Sequence, residues 1–143
     1  MVAKGKKLEN EVKKYLKSNE ILHHKFHDSH SARGIVSPVP ADFVLFPKEG
    51  TGVLLECKET MKANLFLSAF RPSQFKAMMA SLETSTVDYY VIVSYNKTYR
   101  LLHAEDIIGT LAKNEKSLSL DKDYVVFNNI QDVFKFLLDE LLW

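Results

Sequence analysis

The stretch from Ala41 to Gln74 constrains this chain more than any other. Two short apolar runs, 42–46 and 53–58, flank Pro47-Lys48-Glu49-Gly50-Thr51-Gly52 and so read as adjacent strands joined by a turn. Side chains alternate faces along a strand. Glu56 and Lys58 therefore share one face, while Val53, Leu55 and Cys57 point the other way, toward a core. Asp42 opens the first strand, where the twist of the pair brings its carboxylate beside Glu56. Two carboxylates and an ammonium then converge at the open edge of a sheet, an arrangement suited to a metal ion with a lysine poised over it.

The 143 residues fit a single domain, 1–143, long enough to bury a real core. With 46% apolar residues and no low-complexity tract the composition is that of a soluble globular protein, and no apolar run approaches a membrane span. The basic segment Met1 to Lys7 leads into an amphipathic pattern instead of the apolar centre of a secretion signal. The single cysteine, Cys57, excludes an internal disulfide and fits a reducing cytoplasm. A net charge of +1 means that any polyanionic partner must be held by a local basic patch.

Around the central stretch, residues 4–17 predict a helix, with Leu8, Val12, Tyr15 and Leu16 on one apolar stripe and lysines over the remaining surface. Glu9 borders that stripe; by itself it reads better as a solvated partner of Lys13 at i+4 than as a site residue. Residues 20–27 have the makings of a strand, and Asp28 to Gly34 is a polar loop. His23, His24, His27 and His30 cluster there, but without cysteines and at spacings that match no structural zinc pattern, so they read as surface or loop residues. Pro38-Val39-Pro40 leads stiffly into Asp42. Pro72 and Ser73 start a helix whose buried stripe is expected to be Phe75, Met78, Met79 and Leu82, with Gln74 in its first turn pointing back at the strand ends. Further strands are expected at 88–95, 99–103 and 124–127, a helix at 104–112, a polar surface loop at 113–123, and a closing amphipathic helix from about Ile130.

An Asp followed on the next strand by Glu-x-Lys suits phosphodiester hydrolysis with a divalent metal. Carboxylates hold Mg²⁺ and leave positions for water and phosphate. The ion activates water and offsets developing charge, and a lysine orients the water or steadies the transition state. The peptide carbonyl between Glu and Lys, here that of Cys57, commonly completes such a shell. The Cys57 thiol faces away and is no candidate nucleophile.

These residues resemble the PD-(D/E)XK nucleases, with Pro40-Ala41-Asp42 followed by Glu56-Cys57-Lys58. More narrowly, the chain is similar to Holliday-junction resolvases of the RecU type, from bacteria and their phages, and to their archaeal counterparts. The likeness is carried by Gly5-x-x-Leu8-Glu9, Asp42, the string Leu55-Glu56-Cys57-Lys58-Glu59-Thr60 and Phe70-x-x-x-Gln74, and covers roughly residues 4–103. It implies an α/β fold with a restriction-endonuclease-like αβββαβ core, a central mixed sheet flanked by helices, dependence on Mg²⁺ or Mn²⁺, a homodimer and cleavage of branched DNA. It also implies that Glu9 is the helix carboxylate of the site, acting directly or through a water, and that Gln74 is the helix glutamine beside the metal. Ala41 stands where a proline often precedes the Asp, and the short segment between Phe26 and Asp42 shows no recognisable counterpart of the long protruding stalk that bacterial members insert into the junction.

The resulting expectation is a metal-dependent endonuclease that resolves four-way junctions in recombination, repair or phage DNA processing. Asp42 and Glu56 would bind the metal, Lys58 would serve the attacking water, and Glu9 and Gln74 would complete the catalytic set. Lys4, Lys6, Lys7, Ser29, Ser31, Arg33, Lys62, Arg71 and Lys76 would contact phosphates. Phe66, Phe70 and the last helix near Trp143 are expected to form the dimer surface. Two rival readings share the fold: a restriction or repair nickase acting on linear duplex, and a DNA-binding module without activity.

Overall fold

The computed structural model describes residues 6–27, 39–47 and 51–141. Five strands form the central sheet: β1 (His23–Lys25), β2 (Phe43–Leu45), β3 (Gly52–Thr60), β5 (Val87–Tyr95) and β6 (Thr98–His103), in the spatial order β1-β2-β3-β5-β6. β3 and β5 run parallel and every other neighbouring pair is antiparallel, so the sheet is mixed. With α1 (Lys6–Ser18) before β1 and α2 (Pro72–Leu82) between β3 and β5, the order is the expected αβββαβ. The parallel β3–β5 pair requires a crossover, and α2 supplies it.

Alternation along the strands builds a core on each face of the sheet. Phe43, Leu45, Val53, Leu55, Cys57 and Ile92 meet Leu8, Val12 and Leu16 of α1 on one face, together with Val133, Phe134 and Leu137. On the other face Tyr89, Val91 and Val93 pack with Met78 of α2 and with Ala104 and Ile107 of α3 (Ala104–Ala112). β3 and the middle of β5 are covered on both sides. The latter therefore reads as one continuous apolar run, Tyr89-Tyr90-Val91-Ile92-Val93.

Several sequence expectations change in detail. The strand expected over 20–27 is limited to the three residues of β1. The stretch 113–123 is not all loop: β7 (Ser117–Ser119) pairs antiparallel with β4 (Asn64–Phe66), burying Leu65 against Leu118. Neither strand exceeds three residues, and each gains its pairing only from a partner some fifty positions away, so local periodicity could not mark them. The strand expected at 124–127 is reduced to one bridge, Phe127 with Tyr99. The α2 stripe is also rotated: Gln74, Met78 and Ser81 are buried, Phe75 is half-buried, and Met79 and Leu82 are 51% and 42% exposed.

The closing helix α4 (Ile130–Lys135) continues as a π-helical segment, Phe136–Leu141. Its Phe134 stacks on Tyr15 of α1 with ring centroids 4.6 Å apart, so the C-terminal segment completes the core under α1. We predict that Phe134→Ala lowers the free energy of unfolding by about 3–5 kcal/mol, the range for removing a buried aromatic ring, as read by chemical denaturation.

Candidate active site

The register of β2 against β3 decides where the two acidic residues lie. Phe43 faces Leu55 and Leu45 faces Val53, so Asp42, one step beyond the ladder, falls opposite Glu56. The Asp42 Oδ2 accepts a hydrogen bond of 2.9 Å from the Cys57 backbone N–H, which draws the carboxylate onto the rim of β3. Its approach is braced at two points. Ser73 Oγ donates to the Val39 carbonyl at 3.0 Å and Tyr89 OH donates to the Pro40 carbonyl at 2.6 Å. The segment before Asp42 is thus tied to α2 and to the central strand β5.

Glu56 is only 3% exposed, and one of its oxygens is heavily used. Its Oε2 accepts from Gln74 Nε2 at 2.7 Å and pairs with Lys58 Nζ at 3.1 Å. Gln74 is held at its other end, where Oε1 accepts from the Arg71 backbone N–H at 3.0 Å. A backbone N–H can only donate, so the amide oxygen must face Arg71 and the NH₂ must face Glu56. Lys58 also donates to the Ala69 carbonyl at 2.6 Å and lies 4.9 Å from the centre of the Phe70 ring. Glu56 Oε1, by contrast, is buried with no hydrogen-bond partner.

The electrostatics follow from this crowding. Burial and the facing Glu56 push the Asp42 carboxyl up to about 8, while the Cys57 N–H pulls the other way; Glu9 adds to the rise and Lys25 opposes it. The buried Cys57 thiol is pushed well up, first by desolvation and then by Asp42 and Glu56, which keeps it protonated and unreactive.

Glu9, Asp42, Glu56, Lys58, Arg71 and Gln74 line one cleft of about 660 Å³, along with the β4 segment. Five of the residues singled out by sequence for catalysis are therefore brought together. Glu9 does not pair with Lys13: its Oε1 lies 2.8 Å from Lys25 Nζ, and its Oε2 3.5 Å from Lys6. Lys25 is the residue that sequence reasoning missed. It sits on β1 opposite Phe43, 5.2 Å from that ring, and nothing local to His23-His24-Lys25 signals that the β1–β2 register carries it to Glu9.

The expected phosphate contacts disperse. Arg71 lines the cleft, exposed Lys6 stands beside Glu9, and Lys62 is exposed beyond the end of β3. Lys7 is exposed on α1, and Lys76 lies on the outer face of α2, away from the cleft. Lys4, Ser29, Ser31, Arg33, His30 and Trp143 lie outside the described residues. Phe70, expected at a dimer surface, is 5% exposed and packs inside against Phe75. His23 is engaged with the Ile21 carbonyl and His24 stacks edge-on to Phe26.

Among the described residues no three His, Cys, Asp or Glu side chains form a ready-made metal cage. The donor set still fits a hard cation. Two carboxylates are juxtaposed, one has its ionised form disfavoured by the other, and one buried anionic oxygen has no donor. Leaving such an oxygen unsatisfied costs about 1–3 kcal/mol, which an oxygen-seeking divalent ion would recover.

Comparison with known proteins agrees at the level of fold. The chain has a central mixed sheet flanked by helices, an architecture shared with a solved structure. The 1.6 Å structure of Archaeoglobus fulgidus Hjc, a Holliday junction resolvase from an archaeal hyperthermophile, superposes with a TM-score of 0.51 and 16% sequence identity, covering 71% of this chain and 78% of that one. The likeness is to one archaeal protein and is one of fold; it does not by itself support the narrower RecU type. No protein-family model matches the chain, and neither does any curated protein. No helix among the described residues is long and apolar enough to cross a membrane.

The raised Asp42 value has a testable sign. A carboxyl whose folded-state pKa lies above its unfolded value of 3.8 favours the folded state at low pH, and that stabilisation is lost as pH rises toward about 8. Asp42→Asn should therefore raise the melting temperature of the metal-free protein near pH 8. Below about pH 3, where Asp42 is protonated in both states, the variant should melt like the parent. Thermal scans in the presence of a chelator at the two pH values check this.

Proposed function

We propose that this protein is a Mg²⁺- or Mn²⁺-dependent endodeoxyribonuclease that cuts branched DNA and resolves four-way junctions. The observation that carries the reading is the buried, unpartnered Glu56 Oε1 beside Asp42, with Lys58 fixed across the same cleft. The resemblance of the sequence to junction resolvases and the likeness of the fold to Hjc support the choice of substrate.

Asp42 and Glu56 would hold the cation, with the Cys57 carbonyl and Glu9, directly or through a water, completing the shell. Such an ion supplies Lewis acidity to the attacking water and to the scissile phosphate. The remaining work falls to the chain. Gln74 keeps the Glu56 carboxylate from rotating, because its own amide is anchored on Arg71. Lys58, held by Ala69 and Glu56, presents an ammonium that orients the nucleophilic water and offsets charge on the phosphate. Lys25 restrains Glu9. Lys6, Lys7, Lys62 and Arg71 would meet phosphates and make affinity fall with salt.

Incubating the protein and Mg²⁺ with a four-way junction and with a linear duplex of matched sequence tests the reading. Paired nicks in the junction alone are expected. Equal cleavage of the duplex would point to a nuclease of linear DNA, and binding without cleavage would point to an inactive module.

Glu56→Gln should abolish cleavage and leave junction binding largely intact, because the carboxylate serves the cation whereas DNA affinity comes from basic side chains. Mg²⁺ should also raise the melting temperature of the parent and leave that of the variant unmoved. Equal loss of binding and cleavage would contradict this division of labour.

Lys58→Arg separates positioning from charge. Arginine keeps the charge but replaces a compact ammonium by a planar guanidinium. Normal binding in Ca²⁺ with single-turnover cleavage at least ~100-fold slower is expected if Lys58 serves the water. Cleavage near the parental rate would leave Lys58 a simple phosphate contact.

A further inference from the structure

The outer face of α1 carries charge of one sign. At 3.6 residues per turn, Lys6, Lys7, Asn10, Lys13, Lys14 and Lys17 fall within an arc of about 120°, turned away from the buried Leu8, Val12 and Leu16. All six are exposed. The arc holds five lysines and no carboxylate, in a chain whose net charge is only +1. Both acidic residues of the helix stand at its flanks and are engaged elsewhere, Glu9 with Lys25 and Lys6, and Glu11 with the hydroxyl that Tyr99 donates. Among the described residues Lys7, Lys13, Lys14 and Lys17 make no ion pair. Lys13 and Lys17, one turn apart, repel each other.

Such a row attracts a polyanion, and three features narrow its kind. Leu8, Val12 and Leu16 belong to the core, so α1 has no apolar face to sink into a membrane surface. The arc offers neither an aromatic ring to stack on a base nor an arginine fork to read one. Its compact ammonium groups suit phosphates, which carry no sequence information. The row is also continuous with the cleft. Lys6 lies 3.5 Å from Glu9, which lines the cleft, and Lys17 stands about 16 Å further along the helix axis. That span corresponds to about five base pairs of duplex, at roughly 3.4 Å each.

We propose that the outer face of α1 is a track for the sugar–phosphate backbone of a duplex DNA arm leaving the cleft, with Lys13, Lys14 and Lys17 as its far contacts. These contacts are independent of sequence and supply affinity, not chemistry. Polyanion binding relieves the repulsion between the lysines and supplies the counter-charge that the chain itself does not. The course of the track rests on reading the cleft as a nuclease site, but its affinity for DNA can be measured with no cleavage at all.

Neutralising the far end of the track tests the proposal, read by fluorescence anisotropy of a labelled four-way junction in Ca²⁺ over a salt series. K13Q/K14Q/K17Q should bind at least ~10-fold more weakly than the parent at about 50 mM salt. Its slope of log affinity against log salt should be shallower by about 2–3, since each phosphate contact contributes about 0.9. K13R/K14R/K17R keeps the charge and should bind within about twofold of the parent. K113Q/K116Q/K122Q removes the same charge from exposed positions in the segment after α3 and should leave the slope unmoved. All of these positions are exposed, and circular dichroism checks the folding of each variant. An unchanged slope for K13Q/K14Q/K17Q, an arginine variant as weak as the glutamine one, or an equal loss in K113Q/K116Q/K122Q would each overturn the track. So would loss of binding to phosphatidylserine vesicles by K13Q/K14Q/K17Q with junction binding intact, which would make a membrane the partner. A parent that shows the expected salt dependence but never cuts refutes the nuclease reading alone. A parent that cuts the junction with a slope insensitive to the three lysines refutes the track alone.

Discussion

Asp42 and Glu56 face each other across the rim of β2 and β3, and the chain neutralises them unequally. Like charges set opposite on neighbouring strands repel, and burial strengthens the repulsion by removing the water that would screen it. Glu56 is held by Gln74 and Lys58 through one oxygen, whereas Asp42 has a backbone N–H and a carboxyl pushed up to about 8. The surrounding architecture holds this unfavourable pair in place. Ser73 and Tyr89 tie down the segment that delivers Asp42, and the first turn of α2 fixes the amide that grips Glu56. A cation would relieve the repulsion between the two carboxylates, which is what supports the proposed reading of the cleft.

The helices divide the labour. α1 contributes Leu8, Val12 and Leu16 to the core and, on the neighbouring position, Glu9 to the cleft. α2 seats Met78 against the sheet and spends Gln74 on the site, which turns Met79 and Leu82 outward. Two demands on one short helix, a polar contact at its start and an apolar face toward the sheet, cannot be met by a single apolar stripe. Its rotation follows from the buried hydrogen bond to Glu56, which an apolar residue at position 74 could not make.

A fold likeness at 16% identity has a simple physical reading. The sheet requires alternation and approximate volume from its residues, conditions that many sequences satisfy. The cleft depends on particular atoms at particular positions, and in this chain several of them come from one short string, Glu56-Cys57-Lys58.

Much of this was determined by the sequence alone. The period of two in 53–58 separated Glu56 and Lys58 from the core, Pro72 marked the start of α2, and the order of elements followed from turns and apolar runs, because these signals are local. Asp42 and Gln74 were placed near Glu56 by the strand pairing and the helix start, Glu9 was named only by resemblance to a motif, and the tertiary structure brought all three to one cleft with Glu56 and Lys58. It also decided what depends on distant partners: the β2–β3 register that sets Asp42 against Glu56, the β1 register that carries Lys25 to Glu9, and the pairing of β4 with β7. The burial of Phe70 and the exposure of Met79 belong to the same class, since which side of a helix faces inward depends on everything packed against it. A chain specifies its periodicities residue by residue, but the electrostatic environment of a carboxylate is a property of all the groups that folding gathers around it.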